Sequence, residues 1–192
     1  IGAGGGTLTR ALCAKAKKVI AFEIDERLRP VLEEILSDCN NVEVHFKDIL
    51  KMKDEELFAI IGDDFKVVAN LPYYITTPLI MRFIESQSLN ASSLTFMIQK
   101  EVAERICAKE NTSEYGAITL AIKLRGQAAI TRYVDKKVFY PVPKVDSAVV
   151  RIDIHNKYNA QEIKKVLRLI RAAFSMRRKT LLNNLTSNYN IP

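Results

Sequence analysis

Long apolar runs are missing from this 192-residue chain, so no segment has the length of a membrane-spanning helix. The pattern of a secretory signal peptide is absent as well. Cysteine is scarce: Cys13, Cys39 and Cys107 show no metal-ligand spacing, which excludes a disulfide scaffold or zinc module and points to a reducing, cytoplasmic setting. The two histidines, His45 and His155, fall outside every motif described below, so neither is assigned a catalytic role and no metal site is expected. What the chain does have is 48% hydrophobic and 27% charged residues, enough to bury a core in one large domain with an appendage.

The net charge of +7 is placed unevenly. Residues 1–156 hold 21 basic and 21 acidic side chains, whereas residues 157–192 hold 8 basic residues against Glu162 alone. The division expected is therefore a balanced domain over 1–156 and a basic helical unit over 157–192. Lys164, Lys165, Arg168, Arg171, Arg177, Arg178 and Lys179 lie on or between two predicted helices, over about residues 161–174 and 178–185. A run of this kind is either a solvated helix face or a phosphate-contacting surface.

The chain opens on Ile1-Gly2-Ala3-Gly4-Gly5-Gly6-Thr7, read as a strand end, a glycine loop and a helix over about residues 7–17. A dinucleotide fingerprint requires glycine where Thr7 stands. The G-x-G-x-G pattern suits a ligand without pyrophosphate, such as the amino-acid part of S-adenosylmethionine, or a purely structural turn. Residues 18–23 read as a second strand ending in Glu23, about twenty residues after the first glycine, the spacing at which a carboxylate reaches ribose hydroxyls. Asp25 is expected to cap a helix over 26–36. Residues 41–47 alternate as a third strand, and Asp48 follows, either accepting from a cofactor's adenine amino group or capping its loop.

Asn70-Leu71-Pro72-Tyr73 follows the apolar run Val67-Val68-Ala69, where a fourth, buried strand should end. An exocyclic base amine is a poor nucleophile because its lone pair is delocalised into the ring. Acceptors aimed at its hydrogens draw that pair back onto nitrogen. The Asn70 side-chain oxygen is one acceptor, and the Leu71 carbonyl, set by the neighbouring proline, is a second. Tyr73 offers a face for a base to stack on. The competing reading is an ordinary turn. It loses ground because Gly2 to Gly6, Glu23, Asp48 and Asn70 each fall at the carboxyl end of a successive strand, where open α/β sheets bind ligands.

Further along, residues 77–85 read as a helix with Pro78 in its first turn, 93–98 as strand five, and 100–107 as the helix after it. Residues 116–124 are ambiguous and lean to helix on the spacing of Ile118, Ala121 and Ile122. Residues 129–134 and 147–154 read as two closing strands. Between them lies Phe139-Tyr140-Pro141-Val142-Pro143-Lys144, a stiff aromatic loop that either contacts a base or simply bridges the strands.

The segments IGAGGGTLT, FEIDERL, KDIL, NLPYYITTPLI, QKEVAERI, FYPVPKVDSAVVRI and FSMRRKTLLNNL together resemble the small-subunit ribosomal RNA adenine N6,N6-dimethyltransferases, the KsgA family, almost end to end. The resemblance implies an α/β, Rossmann-like class I methyltransferase sheet with a small helical C-terminal domain. It implies dimethylation of two adjacent adenosines near the 3′ end of small-subunit rRNA, with S-adenosyl-L-methionine as donor and a pre-ribosomal particle as partner of a monomeric enzyme. Gly2, Gly4 and Gly6 would line the methionine part of the cofactor, Glu23 the ribose, and Asp48 with Ile49 the adenine. Asn70, Leu71, Pro72 and Tyr73 fall on the catalytic motif, with Asn70 also bordering the cofactor. Phe139 falls on the aromatic that faces Tyr73 across the target base. The basic tail becomes an RNA-phosphate surface.

The family has a lead-in before its glycine loop, including a glutamine-containing segment that helps close the cofactor pocket. This chain opens at the end of strand one and stops at Asn190-Ile191-Pro192, short of the family's helical domain, so a fragment is expected. Three other readings stay open. A large-subunit rRNA adenine methyltransferase of the macrolide-resistance type shares most motifs, but usually has Ile where Leu71 stands. A non-catalytic assembly or transcription factor on the same fold is the second. A nicotinamide dehydrogenase is the third, disfavoured by Thr7.

Overall fold

The computed structural model describes residues 1–86, 88–155, 157–176 and 178–189, with the backbone alone for Tyr73 and Ala160. Two strand groups form its sheet. Strands β1 (Val19–Glu23) and β2 (Val42–Phe46) pair in parallel, from Val19 opposite Val42 to Glu23 opposite Phe46. Strands β3 (Phe65–Asn70), β4 (Ala91–Gln99), β5 (Gly126–Val134) and β6 (Ser147–Ile154) run in the order β3-β4-β6-β5, with β3 parallel to β4 and the other pairs antiparallel. Ile1–Ala3 lie in the seam between the groups. Ile1 N donates to Val68 O at 3.1 Å, and Gly2 N and Ala3 N donate to Phe22 O at 2.8 and 3.1 Å.

The glycine loop runs into α1 (Thr7–Cys13), which is shorter than the expected 7–17. Past Cys13 the residues are solvated and offer no apolar stripe to bury. Asn41 instead collects the loose carbonyls, its amide donating to Cys13 O at 2.9 Å and Ala16 O at 2.8 Å. Asp25 does cap, accepting from Arg27 N, but the turn it starts is a 3-10 segment (Glu26–Leu28) that leads into α2 (Arg29–Ile35).

Helix α3 (Asp54–Ile61) was not anticipated from the sequence, although its signals are present. Asp54, Glu55 and Glu56 occupy the first turn, where they complement the helix dipole, and Gly62 closes the end at φ 69°. Asp54 then joins α3 to α4 (Tyr73–Glu85), accepting from Arg82 Nη2 at 3.0 Å and Ser86 Oγ at 2.6 Å. Helix α4 begins four residues ahead of the predicted start. Pro72, at φ −53°, serves as its cap because a cap needs no N–H donor, and the helix propagates directly from Tyr73. Pro78 therefore sits in the helix interior rather than the first turn, where its ring removes one i→i−4 hydrogen bond.

The apolar side foreseen for this helix is the one buried: Leu79, Ile80, Phe83 and Ile84 pack with Leu94, Phe96 and Ile98 of β4 and Val150 and Ile152 of β6. Full burial of each such side chain stabilises the fold by roughly 1.5–3 kcal/mol before entropy is counted. After α5 (Lys100–Ile106), the ambiguous segment is a helix, α6 (Ala117–Arg125), with Ala121 and Ile122 buried. Helix α7 (Ala160–Ala173) opens on a reciprocal cap between Asn159 and Glu162 and buries Ile163, Leu167 and Ile170 in the same core. Helix α8 (Leu181–Tyr189) starts later than the expected residue 178, because Arg178 and Lys179 belong to the turn and Thr180 Oγ1 accepts from Asn183 N.

Candidate active site

Parallel strands place the loops at their carboxyl ends on one side of the sheet, and here Glu23, Asp48 and Asn70 stand at or just beyond the ends of β1, β2 and β3, with the glycine loop hydrogen-bonded to Phe22 O and packed against Leu71. The glycine loop holds Gly2, Gly4 and Gly6 at φ 67°, 54° and 81°, a conformation in which a β-carbon is strained. Gly2 is also sterically locked, since an added Cβ would lie 2.4 Å from Leu71 Cδ2, itself buried. Gly4 and Gly5 have open space above them, and nothing would lie within 4 Å of a Cβ at either. The loop thus presses one side onto the Asn70-Leu71 segment and leaves bare backbone on the other.

Glu23 ends β1 beneath this loop and is 7% exposed. Its Oε1 accepts from Ile24 N at 2.7 Å and Asp25 N at 3.0 Å, and its Oε2 accepts from Gly4 N at 2.8 Å. Three of the roughly four lone-pair positions of a carboxylate are then filled, which orients the group and leaves capacity for a ligand hydroxyl. Asp48 follows β2, and its Oδ1 accepts from Leu50 N at 3.0 Å, so the loop-capping role foreseen for it is present. The side chain of Ile49 is buried in the core, which leaves its backbone as the part a ligand can reach.

Asn70 is the last residue of β3 and is solvent-exposed, with no side-chain hydrogen bond among the described residues. An amide held at a strand end without internal partners is free to bind a ligand. Leu71 anchors the segment in the core, Pro72 turns it, and the backbone of Tyr73 begins α4. Phe139 is half-buried in the 135–146 loop, which leaves β5 at the end of the sheet that carries Asn70: Asn70 pairs with Met97, and Gln99 with Ser147, which pairs with Val134. Asp25, just beyond Glu23, is held down to about 2 by its hydrogen bonds to Arg27.

The donor set fits S-adenosylmethionine. Open glycine backbone beside a buried carboxylate suits an amino-acid and ribose moiety, and a second carboxylate at the next strand end suits an adenine amine.

The basic residues lie apart, on α7 and the turn after it. Lys164, Arg168 and Arg171 share one stripe at i, i+4 and i+7; they, Lys165, Arg178 and Lys179 are all exposed. Arg171 is paired with Glu85, and the Arg168 guanidinium lies 5.5 Å from the Tyr189 ring centre. Arg177 falls outside the described residues. Sequence reasoning missed Asn184, which is 2% exposed and shapes the turn carrying Arg178 and Lys179. Its amide donates to Ala173 O at 2.7 Å and Met176 O at 3.2 Å. The available signal was the place of Asn184 three residues after Leu181, at the apolar spacing of the predicted helix.

The family model for ribosomal RNA adenine dimethylase matches residues 1–191. The ribosomal RNA small subunit methyltransferase A of Geobacillus thermodenitrificans is 43% identical over 196 residues, covering 98% of this chain and 66% of that protein. The protein of the same name from Bacillus thuringiensis is 44% identical over 195 residues, covering 99% and 66%. The chain therefore spans just under two thirds of the length of these relatives. Among solved structures, a dimethyladenosine transferase from Plasmodium falciparum superposes with a TM-score of 0.78 at 31% identity, over 96% of this chain and 65% of that one. The 23S rRNA methyltransferase ErmE gives 0.73 at 27% identity, over 98% and 74%. The fold is that of the class I methyltransferases, and with motifs, strand order and a family match that runs from the glycine loop to the end of α8, the chain belongs to the ribosomal RNA adenine dimethylase family.

Proposed function

We propose that the protein carrying this chain transfers methyl groups from S-adenosylmethionine to N6 of two adjacent adenosines near the 3′ end of small-subunit rRNA, giving N6,N6-dimethyladenosine during ribosome biogenesis. The observation that carries this reading is the contact of the glycine loop with the Asn70-Leu71 segment, because it sets a cofactor cradle directly against an exposed amide at a strand end. The names of the relatives and the family match support the substrate.

In this reading the cofactor, when bound, supplies an electrophilic methyl group. Gly2, Gly4 and Gly6 provide the backbone against which its methionine part lies. Glu23 accepts from ribose hydroxyls, and Asp48 with the Ile49 backbone reads its adenine. Asn70 Oδ1 and the Leu71 carbonyl accept from the target amine's hydrogens, returning its lone pair to nitrogen, while Pro72 sets the carbonyl's direction. Tyr73 and Phe139 stack on the extruded base and offset part of the few kcal/mol that extrusion costs. The second methylation leaves one acceptor idle, since the amine then has a single hydrogen to donate.

Lys164, Lys165, Arg168, Arg171, Arg177, Arg178 and Lys179 supply phosphate contacts from the basic unit over 157–192, which together with the methyltransferase unit over 1–156 engages the RNA. The enzyme works as a monomer on a pre-ribosomal particle in the cytoplasm. For the chain itself, no helix among the described residues is long and apolar enough to cross a membrane.

The test uses isolated small and large ribosomal subunits, labelled methyl donor and mapping of the modified nucleotide. The parent protein should label the small subunit at adenosine. Asn70→Ala should lower the rate by at least about 100-fold while leaving cofactor affinity near that of the parent, because its acceptor acts mainly in the transition state. Near-parental turnover by that variant would sink the assignment. Labelling of the large subunit alone would favour the ErmE-like reading.

A further inference from the structure

Tyr140 stands fully exposed one residue beyond Phe139, between Val138 and Val142, which are also largely exposed. An aromatic ring held in water on a mobile loop would have little meaning, but this loop is braced. Asp146 Oδ1 accepts from Lys136 N at 3.1 Å, its carbonyl accepts from Lys100 N at 3.0 Å, and Asp135 Oδ1 accepts from Lys137 N at 2.8 Å. Pro141 and Pro143 restrict the backbone further. The Tyr140 side chain makes no hydrogen bond, ring contact or cation contact among the described residues. The register places this loop at the end of the sheet that carries Asn70, two strands or about 10 Å across from β3. Lys100, Lys137 and Lys144 are exposed around it, and Tyr74, in the first turn of α4, is a second exposed aromatic at the same end.

A rigid, unpartnered aromatic amid cations, a short extended stretch of chain away from a base-modifying pocket, has the chemistry of a stacking platform for single-stranded RNA. We propose that Tyr140 stacks on the base of the nucleotide flanking the target adenosines, so that it sets the register of the strand while the pocket takes the base to be modified. This rests on the function proposed above and adds a specificity position to it. Asp135 and Asp146, the loop's two carboxylates, each accept one of its backbone N–H groups, and Lys100, Lys136, Lys137 and Lys144 outnumber them.

The chain contains no tryptophan, so Tyr140→Trp adds a single fluorescent reporter to it. The probe is an RNA hairpin whose unpaired loop carries two adjacent adenosines, compared with the same hairpin bearing an abasic residue immediately 5′ or 3′ of the pair. Binding of the intact hairpin should quench the reporter, and one of the two abasic hairpins should not. In steady-state methylation, Tyr140→Ala should raise KM for RNA by roughly 5- to 100-fold with kcat and cofactor affinity near parental, and Tyr140→Phe should restore KM. Equal quenching by all three hairpins, or a KM for Tyr140→Ala within about twofold of the parent, would overturn the stacking while the methylation reading stands. Absence of methylation of any adenosine by the parent would overturn that reading and the stacking with it.

Discussion

Replacing Gly2 by alanine tests whether the glycine loop and the Asn70 segment are built as one piece. Two costs arise at this position. The backbone sits at φ 67°, which an L-residue adopts at a cost of roughly 1–2 kcal/mol. The new methyl would also meet Leu71 Cδ2 at 2.4 Å, against an ordinary carbon contact of about 3.5–4.0 Å, so the buried Leu71 side chain would have to shift its end methyl. Overpacking of this kind adds about 1–3 kcal/mol. Gly4 is the internal control, because its φ of 54° carries the first cost while the space above it removes the second. Urea unfolding followed by circular dichroism should therefore give Gly2→Ala a loss of about 2–5 kcal/mol, and Gly4→Ala about 1–2 kcal/mol. In the double variant Gly2→Ala/Leu71→Ala the losses should fall short of additive, since the clash disappears with the leucine. Equal destabilisation by the two glycine variants, or strict additivity in the cycle, would refute the argument that Leu71 and Gly2 are locked together.

Gly126 lies at φ −172°, an ordinary extended conformation, yet a Cβ there would meet the Asp153 carbonyl oxygen at 2.4 Å, so Gly126→Ala should cost roughly 1–3 kcal/mol in the same urea assay by disturbing the β5–β6 pairing. Replacing Arg178 and Lys179 by alanine should weaken RNA binding and reduce the slope of log affinity against log salt by roughly 1.5, measured by filter binding across a salt series. An unchanged slope would remove that turn from the interface. Asp25 has a folded-state value of about 2, below its ordinary 3.8, so the stability it contributes is present above about pH 4 and is lost as pH falls toward 2. Asp25→Asn should flatten the acid limb of the stability profile over that interval, as read from thermal melts.

Where periodicity had a buried face to report on, the sequence was readable. The stripe Leu79, Ile80, Phe83 and Ile84 and the strand Ser147–Ile154 could be placed because one face of each is sealed in the core. Boundaries slipped where a local hydrogen bond from a distant residue decided them, as with Asn41 at the end of α1. Pro78 draws the expected start of α4 to residue 77, whereas Pro72 supplies the cap and the helix begins at Tyr73. Helix α3 was overlooked because, of its residues, only Leu57 is fully buried, so its amphipathic signal is thin. Glu23 and Asn70, two of the candidate residues, were legible as strand ends, which is where β1 and β3 stop. What the sequence could not show is the contact between Gly2 and Leu71, a relation between side-chain space and backbone handedness that no spacing rule encodes.

Glu23 ends β1, Asp48 follows β2 and Asn70 ends β3, so the three stand after three separate strands. A molecule that touches all three binds only when they are aligned, and it stabilises that alignment by mass action. Amide hydrogen exchange along Val19–Glu23 and Val42–Phe46 should therefore slow disproportionately when S-adenosylmethionine is added, relative to the interior of β4 and β6.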